Sequence, residues 1–255
     1  MERAEGASVQ SIDRAFDILE YLSNDRSGFR LTELSEGLGL HKSTVYRLLS
    51  AMQARGYIEK NDKKYKLGLR FIHLSSQLLN SIELKTEAEP LLRMLSDETG
   101  QTVFLAVRDG HDVVYIDKVE QFNSLRRYSI IGTRAPVYCT SLGRALLMFN
   151  NEAELDRIID AVELRKISEK TITDKKELIE KIKFYRIRGW SEDVEEFQDG
   201  VRCVGAPVFD YRGKVIAAIS TAWNIKKTDA DPDEIGRLVK KTASEVTLRL
   251  GGLSG

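Results

Sequence analysis

The stretch LGLHKSTVYRLLSAMQARGYI, residues Leu38–Ile58, decides the fold of the first third of the chain. Four apolar side chains recur there at the spacing of one buried helical face: Val45, Leu48, Leu49 and Met52. We therefore expect a helix from His41 to Ala54, ended by Gly56. With those four side chains facing the core, the helix exposes a polar set to solvent: Lys42, Ser43, Tyr46, Arg47, Ser50 and Gln53, with Thr44 on the flank.

The flanking residues complete a small unit of three helices and a hairpin. Ser11 is a natural N-cap for a first helix with five apolar positions: Ile12, Ala15, Phe16, Leu19 and Leu22. A short second helix carries three leucines: Leu31, Leu34 and Leu38. We expect Thr32 to cap it and Gly39 to stop it. Tyr57–Glu59 and Lys64–Leu67 are predicted strands around a basic turn at 61–63. This order predicts a winged helix-turn-helix, whose second turn helix enters the major groove.

Charge is distributed unevenly along the chain. The net charge over 255 residues is zero, but residues 1–40 carry −4 and residues 41–70 carry +6. A local basic excess is typical of a surface that meets phosphates, although a solvated charged face is the common alternative. Lysine and arginine can bind guanine edges or phosphates, and hydroxyls suit phosphate oxygens. The predicted DNA-binding residues are Lys42, Ser43, Thr44, Tyr46, Arg47, Lys63 and Lys64.

Each of these residues also has a simpler explanation. Ser43 and Thr44 are often caps at a first helical turn. Lys63 and Lys64 suit any solvated hairpin tip, and Arg47 could pair with a carboxylate. Only the combination of winged topology and local charge favours DNA binding over those alternatives.

Composition places the chain among ordinary globular proteins of one large or two smaller domains. It is 42% hydrophobic and 31% charged, with four prolines and no low-complexity tract. No apolar run approaches a membrane span, and the first ten residues lack the apolar core of a secretory signal. Cys139 and Cys203 lie far apart in sequence. We expect a reduced, cytoplasmic protein that does not associate with membranes.

The rest of the chain predicts a linker and a second domain. Residues 70–83 form a predicted helix with a broad apolar surface, which suits a dimer contact or packing on its own domains. Beyond it, hairpins dominate, so the sheet should be largely antiparallel with helices packed on it. The predicted strands are Thr102–Val107, Val113–Val119, Leu125–Ile131, Val204–Phe209 and Lys214–Ala222. The predicted helices are Pro90–Thr99, one capped by Thr140 or Ser141, 152–161, 174–188 and Pro232–Leu250. Gly132–Tyr138 is a predicted loop, and the apolar set of the Thr140 or Ser141 helix is Leu142, Ala145, Leu146 and Phe149.

The second domain carries no recognisable catalytic motif. The chain has three histidines in separate segments, and it lacks the common phosphate-binding, hydrolase and metalloprotease signatures. A pocket for a small ligand suits the domain better than an enzyme site. Two alternatives remain open. One is a metal sensor with His111, Cys139 and Cys203 as ligands, and the other is an acyl hydrolase that uses Ser141, for which no base is visible.

Several strings together resemble the IclR-type transcriptional regulators, over about residues 8–250. They are SIDRAFDILEYL, LTELSEGLGLHKSTVYRLLSAMQARGYI, YKLGLR, PVYCTSLGRALL and GWSEDVEEFQDGVRCVGAPVFDYRGKVIAAIS. The resemblance implies an α+β chain: a winged helix-turn-helix at 8–69, a linker helix at 70–84 and a GAF-like effector-binding domain at 85–252. It also implies dimers or dimers of dimers that bind double-stranded operator DNA and sense small organic acids. We expect repression rather than activation, with no cofactor, no resident metal and no catalytic residues.

The resemblance also assigns an effector pocket. The matching positions are Ser141, Leu142, Asp193, Cys203 and Ser220. Asp193 would accept a hydrogen bond from a ligand hydroxyl, although a loop cap is its simpler role, and Cys203 could be a small buried apolar side chain. Ala222 stands where relatives often carry a second pocket hydroxyl, which favours a less polar or larger acid. His41 stands where relatives often carry proline, so the recognition helix could start differently.

Overall fold

The computed structural model describes residues 9–25, 27–74, 83–120 and 131–252. The chain divides into two compact units, Met1–Ser81 and Ile82–Gly255. Residues 70–74 are helical, as predicted for the start of the linker, and the rest of the predicted linker helix falls largely outside the described residues. The predicted strand Leu125–Ile131 also lies outside them, except for Ile131, which is in a turn.

The N-terminal unit is a winged helix-turn-helix, as its sequence predicts. Its elements are α1 (Gln10–Ser23), β1 (Phe29–Arg30), α2 (Leu31–Gly37), α3 (Lys42–Gln53), β2 (Ile58–Asn61) and β3 (Lys64–Leu67). The three strands form an antiparallel sheet in the order β1-β3-β2. The two-residue β1 was not predicted, because so short a segment carries no periodicity.

One apolar cluster holds this unit together. Its fully buried members are Ile18, Leu22, Leu34, Val45, Leu49, Ile58 and Tyr65. Each large aliphatic side chain buried in this way contributes about 1.5–3 kcal/mol relative to an exposed one. The members come from all three helices and both wing strands, so the cluster fixes the orientation of α3. The predicted inward face of α3 is therefore confirmed.

The predicted caps of the first two helices are wrong. Ser11 lies inside the first turn of α1, which begins after Val9 without a side-chain cap. The N-cap of α2 is Arg30 rather than Thr32, and its backbone N–H donates to Glu33 Oε2 at 2.6 Å. A carboxylate three residues into the helix thus satisfies the start of α2, so no hydroxyl is needed there.

The C-terminal unit is a six-stranded antiparallel sheet with helices. Its helices are α4 (Glu83–Thr99), α5 (Ser141–Leu147), α6 (Glu152–Asp160), α7 (Lys175–Arg188) and α8 (Pro232–Arg249). Its strands are β4 (Thr102–Asp109), β5 (Asp112–Val119), β6 (Arg134–Pro136), β7 (Ser191–Val194), β8 (Val201–Phe209) and β9 (Val215–Asn224). The order across the sheet is β6-β5-β4-β9-β8-β7, and every pairing is antiparallel, as predicted. Among the described residues, no helix has the length and apolar character needed to cross a membrane.

The sheet lies between two helical layers. Lys85 of α4 reaches Asp117, which pairs with Leu105 across β4 and β5. The next residue of β4, Ala106, joins the apolar core that contains α5. Because successive strand residues face opposite sides, α4 and α5 cover opposite faces of the sheet. The α8 helix packs against α4 and against β8 and β9.

Four departures from the predicted elements have simple reasons. The helix predicted from Pro90 begins at least by Glu83, and Pro90 is exposed within it. The predicted loop 132–138 contains β6, and the unpredicted β7 is only four residues long. Phe149 lies beyond α5 and is 45% exposed, whereas all seven residues of α5 are buried. A helix that is buried on every side has no amphipathic pattern to reveal its ends.

Candidate DNA-binding and effector sites

The polar face of α3 is open to solvent. Val45 and Leu49 are fully buried, and Leu48 and Met52 pack beside them. Six residues of the outward set are exposed, as predicted: Lys42, Ser43, Tyr46, Arg47, Ser50 and Gln53. Thr44 is half-buried on the flank. The structure therefore groups the first five predicted DNA-binding residues at the beginning of one helix.

The start of α3 is uncapped by side chains. Its N-cap, His41, is extended at φ −61° and ψ 138°, and no side chain accepts a hydrogen bond there. The His41 carbonyl accepts the Thr44 and Val45 amides at 2.9 and 3.1 Å. Within the described chain, the amides of Lys42 and Ser43 accordingly remain available to an anion. The φ of −61° at His41 is one that proline also adopts.

The cations of this unit divide into paired and unpaired groups. Within the described part of the chain, the side chains of Lys42, Arg47 and Lys63 have no ion pair or hydrogen bond. By contrast, Lys64 Nζ donates to Ser27 Oγ at 3.1 Å. A further contrast is Lys66, whose Nζ lies 3.2 Å from Glu59 Oε2. The α3 cations and Lys63 at the tip of the wing are therefore among the available positive charges of this unit.

In the C-terminal unit, strand register brings together three of the predicted effector residues. Asp193 of β7 lies opposite Cys203 of β8, which lies opposite Ala222 of β9. The neighbouring row on the same face runs through Ser191, Gly205, Ser220 and Phe104. Residues directly opposite one another point to one side of a sheet, so Asp193, Cys203 and Ser220 share a face.

The start of α5 closes over this face. Ser191 Oγ donates to the Ser141 carbonyl at 2.6 Å and to the Gly205 carbonyl at 3.1 Å. A Cβ on Gly205 would lie 3.0 Å from the Ser141 carbonyl group, so any larger residue there would crowd the start of α5. Thr140 caps the helix by accepting the Gly143 amide at 3.1 Å. The predicted residues Ser141 and Leu142 thus lie above the strand row, both 2% exposed.

Asp193 is a strand residue with an unusual environment for a carboxyl group. It is 3% exposed, and its Oδ1 accepts the Glu196 amide at 2.8 Å. Burial raises the pKa of Asp193 to about 7, against the lowering effects of that amide and of the Arg144 charge. The role of loop cap is therefore partly correct, because Asp193 orders the turn that follows β7.

Three further titratable groups surround Asp193. Burial raises the pKa of Tyr115, and the nearby Cys203, Asp193 and Cys139 raise it further. Burial raises the pKa of Cys139 to about 12, and it raises that of Cys203 well above the ordinary thiol value; Asp193 adds to both. These thiols and the phenol are therefore neutral at physiological pH.

Beneath the site lies a buried ion pair that the sequence reasoning missed. Arg144 of α5 is fully buried and binds both carboxylate oxygens of Glu196, with Nη1 to Oε1 at 2.7 Å. Its remaining hydrogen bonds go to the carbonyls of Tyr138 at 3.1 Å and Glu192 at 2.7 Å. Lys181 of α7 also reaches Glu196 Oε1 at 3.0 Å. The signal was present in the string GRALL, where one arginine interrupts an otherwise apolar helix.

The positions of these residues do not support the metal-sensor alternative or the acyl-hydrolase alternative. His111 is exposed in the β4–β5 turn, whereas Cys139 is buried. Within the described ranges, no three His, Cys, Asp or Glu side chains are grouped to hold a metal ion. Ser141, the hydrolase candidate, is buried at the start of α5.

A winged helix-turn-helix followed by an α/β domain with a buried polar site defines a DNA-binding regulator with a ligand-sensing domain. The IclR helix-turn-helix domain model matches residues 11–62, and the model described as bacterial transcriptional regulator IclR C-terminal matches residues 76–248. The chain belongs to the IclR family of transcriptional regulators.

Full-length relatives agree with this assignment. The chain is 34% identical over 247 residues to the HTH-type transcriptional regulator KdgR of Escherichia coli, covering 96% of this chain and 94% of the relative. It is 33% identical over 250 residues to the transcriptional repressor IclR of Escherichia coli, covering 96% and 91%. An IclR homologue from Microbacterium hydrocarbonoxydans, solved in complex with 4-hydroxybenzoate, shares the fold with a TM-score of 0.83. That match covers 94% of this chain and 99% of the other at 19% identity.

Proposed function

We propose that this regulator binds operator DNA through the start of α3 and the tip of the wing, and that an organic acid in the C-terminal unit alters that binding. The DNA-binding part of this proposal rests on the set of exposed, unpaired cations beside the free amides of α3. An exposed arginine without a carboxylate partner keeps its donors for DNA, since nothing in the described chain competes for them.

The proposed DNA contacts differ in kind. Arg47 and Lys42 are suited to guanine edges or phosphates, whereas Ser43, Thr44 and Tyr46 offer hydroxyls to phosphate oxygens. Lys63 is suited to a phosphate near the wing tip. Lys64 contributes less, because its ammonium group is already bound to Ser27.

DNA selected from a random duplex library by the wild-type protein would test these contacts. We expect a palindromic sequence whose half-sites lie one or two helical turns, each of about 34–36 Å, apart. Lys42→Ala and Arg47→Ala together should abolish its mobility shift, and Gln53→Ala, at the far end of the same exposed face, should not. Unchanged binding by the double variant would refute the assignment of α3.

The proposed effector site combines polar and aromatic groups. Asp193, Cys203, Ser220, Ser141 and Leu142 are the proposed contacts. The neighbouring aromatic rings of Phe104 and Tyr115, 5.5 Å apart, make an apolar wall. With Ala222 supplying no hydroxyl, a larger or less polar acid is favoured over a small hydroxy acid. The 4-hydroxybenzoate complex of the Microbacterium homologue supports an aromatic acid.

Thermal unfolding in the presence of organic acids tests the effector-binding part of the proposal. Saturating ligand raises the free energy of unfolding by mass action, about 2.7 kcal/mol at one hundred times the dissociation constant. We expect 4-hydroxybenzoate to stabilise the protein more than pyruvate does, and Ser220→Ala to reduce that stabilisation. Equal effects on wild type and variant would exclude Ser220 as a contact.

We further propose a dimer or a dimer of dimers that represses transcription in the cytoplasm. The name of the Escherichia coli repressor supports repression. The proposed domains are 8–69, 70–84 and 85–252, and the division of the chain after Ser81 supports a boundary within the linker. Effector binding would then reorient the linker helices and change the spacing of the two recognition helices. Light scattering gives the oligomeric state, and a reporter assay gives the sign of regulation.

A further inference from the structure

The buried charges around the effector site are arranged asymmetrically. Two carboxyl groups, those of Asp193 and Glu196, lie near the buried guanidinium of Arg144. Glu196 takes the guanidinium in a bidentate pair and receives Lys181 as well. In the described part of the chain, Asp193 has no ion pair with any lysine, arginine or histidine. One carboxyl group is thus fully neutralised, while the other is buried without a cation.

From this geometry we infer that Arg144 and Glu196 position the effector site and leave Asp193 without a cation, so that its carboxyl group binds an acid effector in the protonated form, as a hydrogen-bond donor to the ligand carboxylate. The inference rests on the proposed function, and it reverses the role that the sequence suggested for Asp193. An ionised Asp193 would accept a hydrogen bond from a ligand hydroxyl, but it would repel the ligand carboxylate.

The positioning role follows from what Arg144 touches. Its guanidinium binds the Tyr138 carbonyl, which precedes α5, and the Glu192 carbonyl, which precedes Asp193 in β7. Through Glu196 it also fixes the turn whose amide is donated to Asp193 Oδ1. One side chain therefore sets the relative position of the start of α5 and of Asp193.

The protonation of Asp193 follows from every titratable group that faces it. These groups are Cys203 on β8, Tyr115 on β5, Cys139 before α5, Arg144 on α5 and Glu196 in the turn after β7, with Lys181 of α7 behind Glu196. The thiols and the phenol are neutral, as argued above. Burial raises the pKa of Glu196, but its hydrogen bond and ion pair with Arg144 outweigh burial and lower it overall. The charges of Arg144 and Glu196 act on Asp193 in opposite directions, and burial outweighs the lowering effects of Arg144 and of the Glu196 and Phe197 amides.

The test follows the Asp193 carboxyl carbon by NMR in protein labelled with carbon-13 at aspartate side chains. Asp193→Asn identifies the signal by its absence. We expect the wild-type signal to titrate near 7 rather than near the ordinary aspartate value of 3.8. A midpoint closer to 3.8 than to 7 would overturn the inference.

Two variants test the influence of the ion pair, with thermal unfolding as the check that each is folded. Glu196→Gln leaves Arg144 unneutralised, so the Asp193 midpoint should fall by about one pH unit or more. Lys181→Met removes a partly exposed cation and should raise the midpoint instead. A purely structural role for the pair predicts no shift, and an unmoved midpoint in a folded variant would refute the positioning claim. If Glu196→Gln does not fold, Lys181→Met alone decides.

Ligand binding separates this inference from the proposed function. The affinity of wild type for 4-hydroxybenzoate should fall as the pH rises through about 7, and Asp193→Asn, whose amide donates at every pH, should lose that dependence. If no organic acid stabilises the protein, the proposed effector function fails while the carboxyl titration still stands or falls on its own. If acids bind but Asp193 is ionised, the inference alone fails.

Discussion

The two functional regions of this regulator treat charge in opposite ways. On α3, Lys42 and Arg47 are exposed and have no partners in the described chain. In the effector domain, Arg144 is fully buried and four of the five N–H donors of its guanidinium are hydrogen-bonded. The first arrangement keeps charge available for a large polyanion, and the second removes charge from a site for a small ligand.

This difference has an energetic origin. Exposed cations cost little to maintain in water, and their attraction to DNA is realised only when counterions are released on binding. A buried guanidinium is tolerated only with excellent pairing, because removing ions from water costs several kcal/mol each. We therefore expect substitutions in α3 to affect binding without stability, and substitutions around Arg144 to affect both.

Removal of the buried guanidinium should have the largest effect. Arg144→Met leaves Glu196 buried with only Lys181, and we expect the free energy of unfolding to fall by about 3–5 kcal/mol. Chemical denaturation measures this change. Arg144→Met combined with Glu196→Gln should recover part of the loss, because it removes the orphaned charge. A double variant as unstable as the sum of the two single variants would show that the pair is not coupled.

The pH dependence of stability should come next in size. The folded-state pKa of Asp193, about 7, lies above its ordinary value of 3.8, so the folded protein holds the proton more tightly than the unfolded chain does. The stability from this proton is fully present below about pH 4 and is lost as the pH rises through 7. Asp193→Asn should thus be more stable than wild type by roughly 2–4 kcal/mol at pH 8. This difference in the free energy of unfolding between variant and wild type should disappear toward pH 4. A difference that does not depend on pH would contradict the proposed titration of Asp193.

A single arginine on α3 should have a similar effect, but on DNA affinity alone. Arg47→Ala should weaken binding to the selected duplex by about 1–3 kcal/mol. Its melting temperature should remain that of wild type, since Arg47 supports no described contact. Fluorescence anisotropy with labelled duplex measures the affinity, and Gln53→Ala is the matched control on the same helix. Loss of stability in Arg47→Ala would show that the residue is structural.

The smallest effect should distinguish the two wing lysines. Lys63→Ala should reduce the slope of log affinity against log salt by about 0.9, the value for one phosphate contact. Lys64→Ala should reduce it less, because Lys64 is held by Ser27. Anisotropy titrations at several salt concentrations give both slopes. Equal slopes for the two variants would remove the distinction between a lysine without a partner and one restrained by a hydrogen bond.

The sequence predicted the regular parts of this molecule and missed its buried polar parts. The face of α3 was predictable because Val45, Leu49 and their neighbours repeat at helical spacing, and the antiparallel sheet was predictable from its turns. The end of the wholly buried α5, the four-residue β7 and the Arg144–Glu196 pair were not. Arg144 and Glu196 lie 52 positions apart, and no local pattern records which of two carboxyl groups a distant arginine will bind.

The most direct measurement compares the dissociation constant for the selected duplex with and without saturating acid, in wild type and in Asp193→Ala. The acid is whichever of 4-hydroxybenzoate and pyruvate gives the larger thermal stabilisation. We predict that the acid changes the wild-type constant by about fivefold or more, as expected for allosteric coupling of 1–3 kcal/mol. Asp193→Ala should bind DNA normally without acid and should not respond to it. A variant that responds as fully as wild type, or a wild-type protein whose DNA affinity ignores every stabilising acid, would contradict control of α3 from this site.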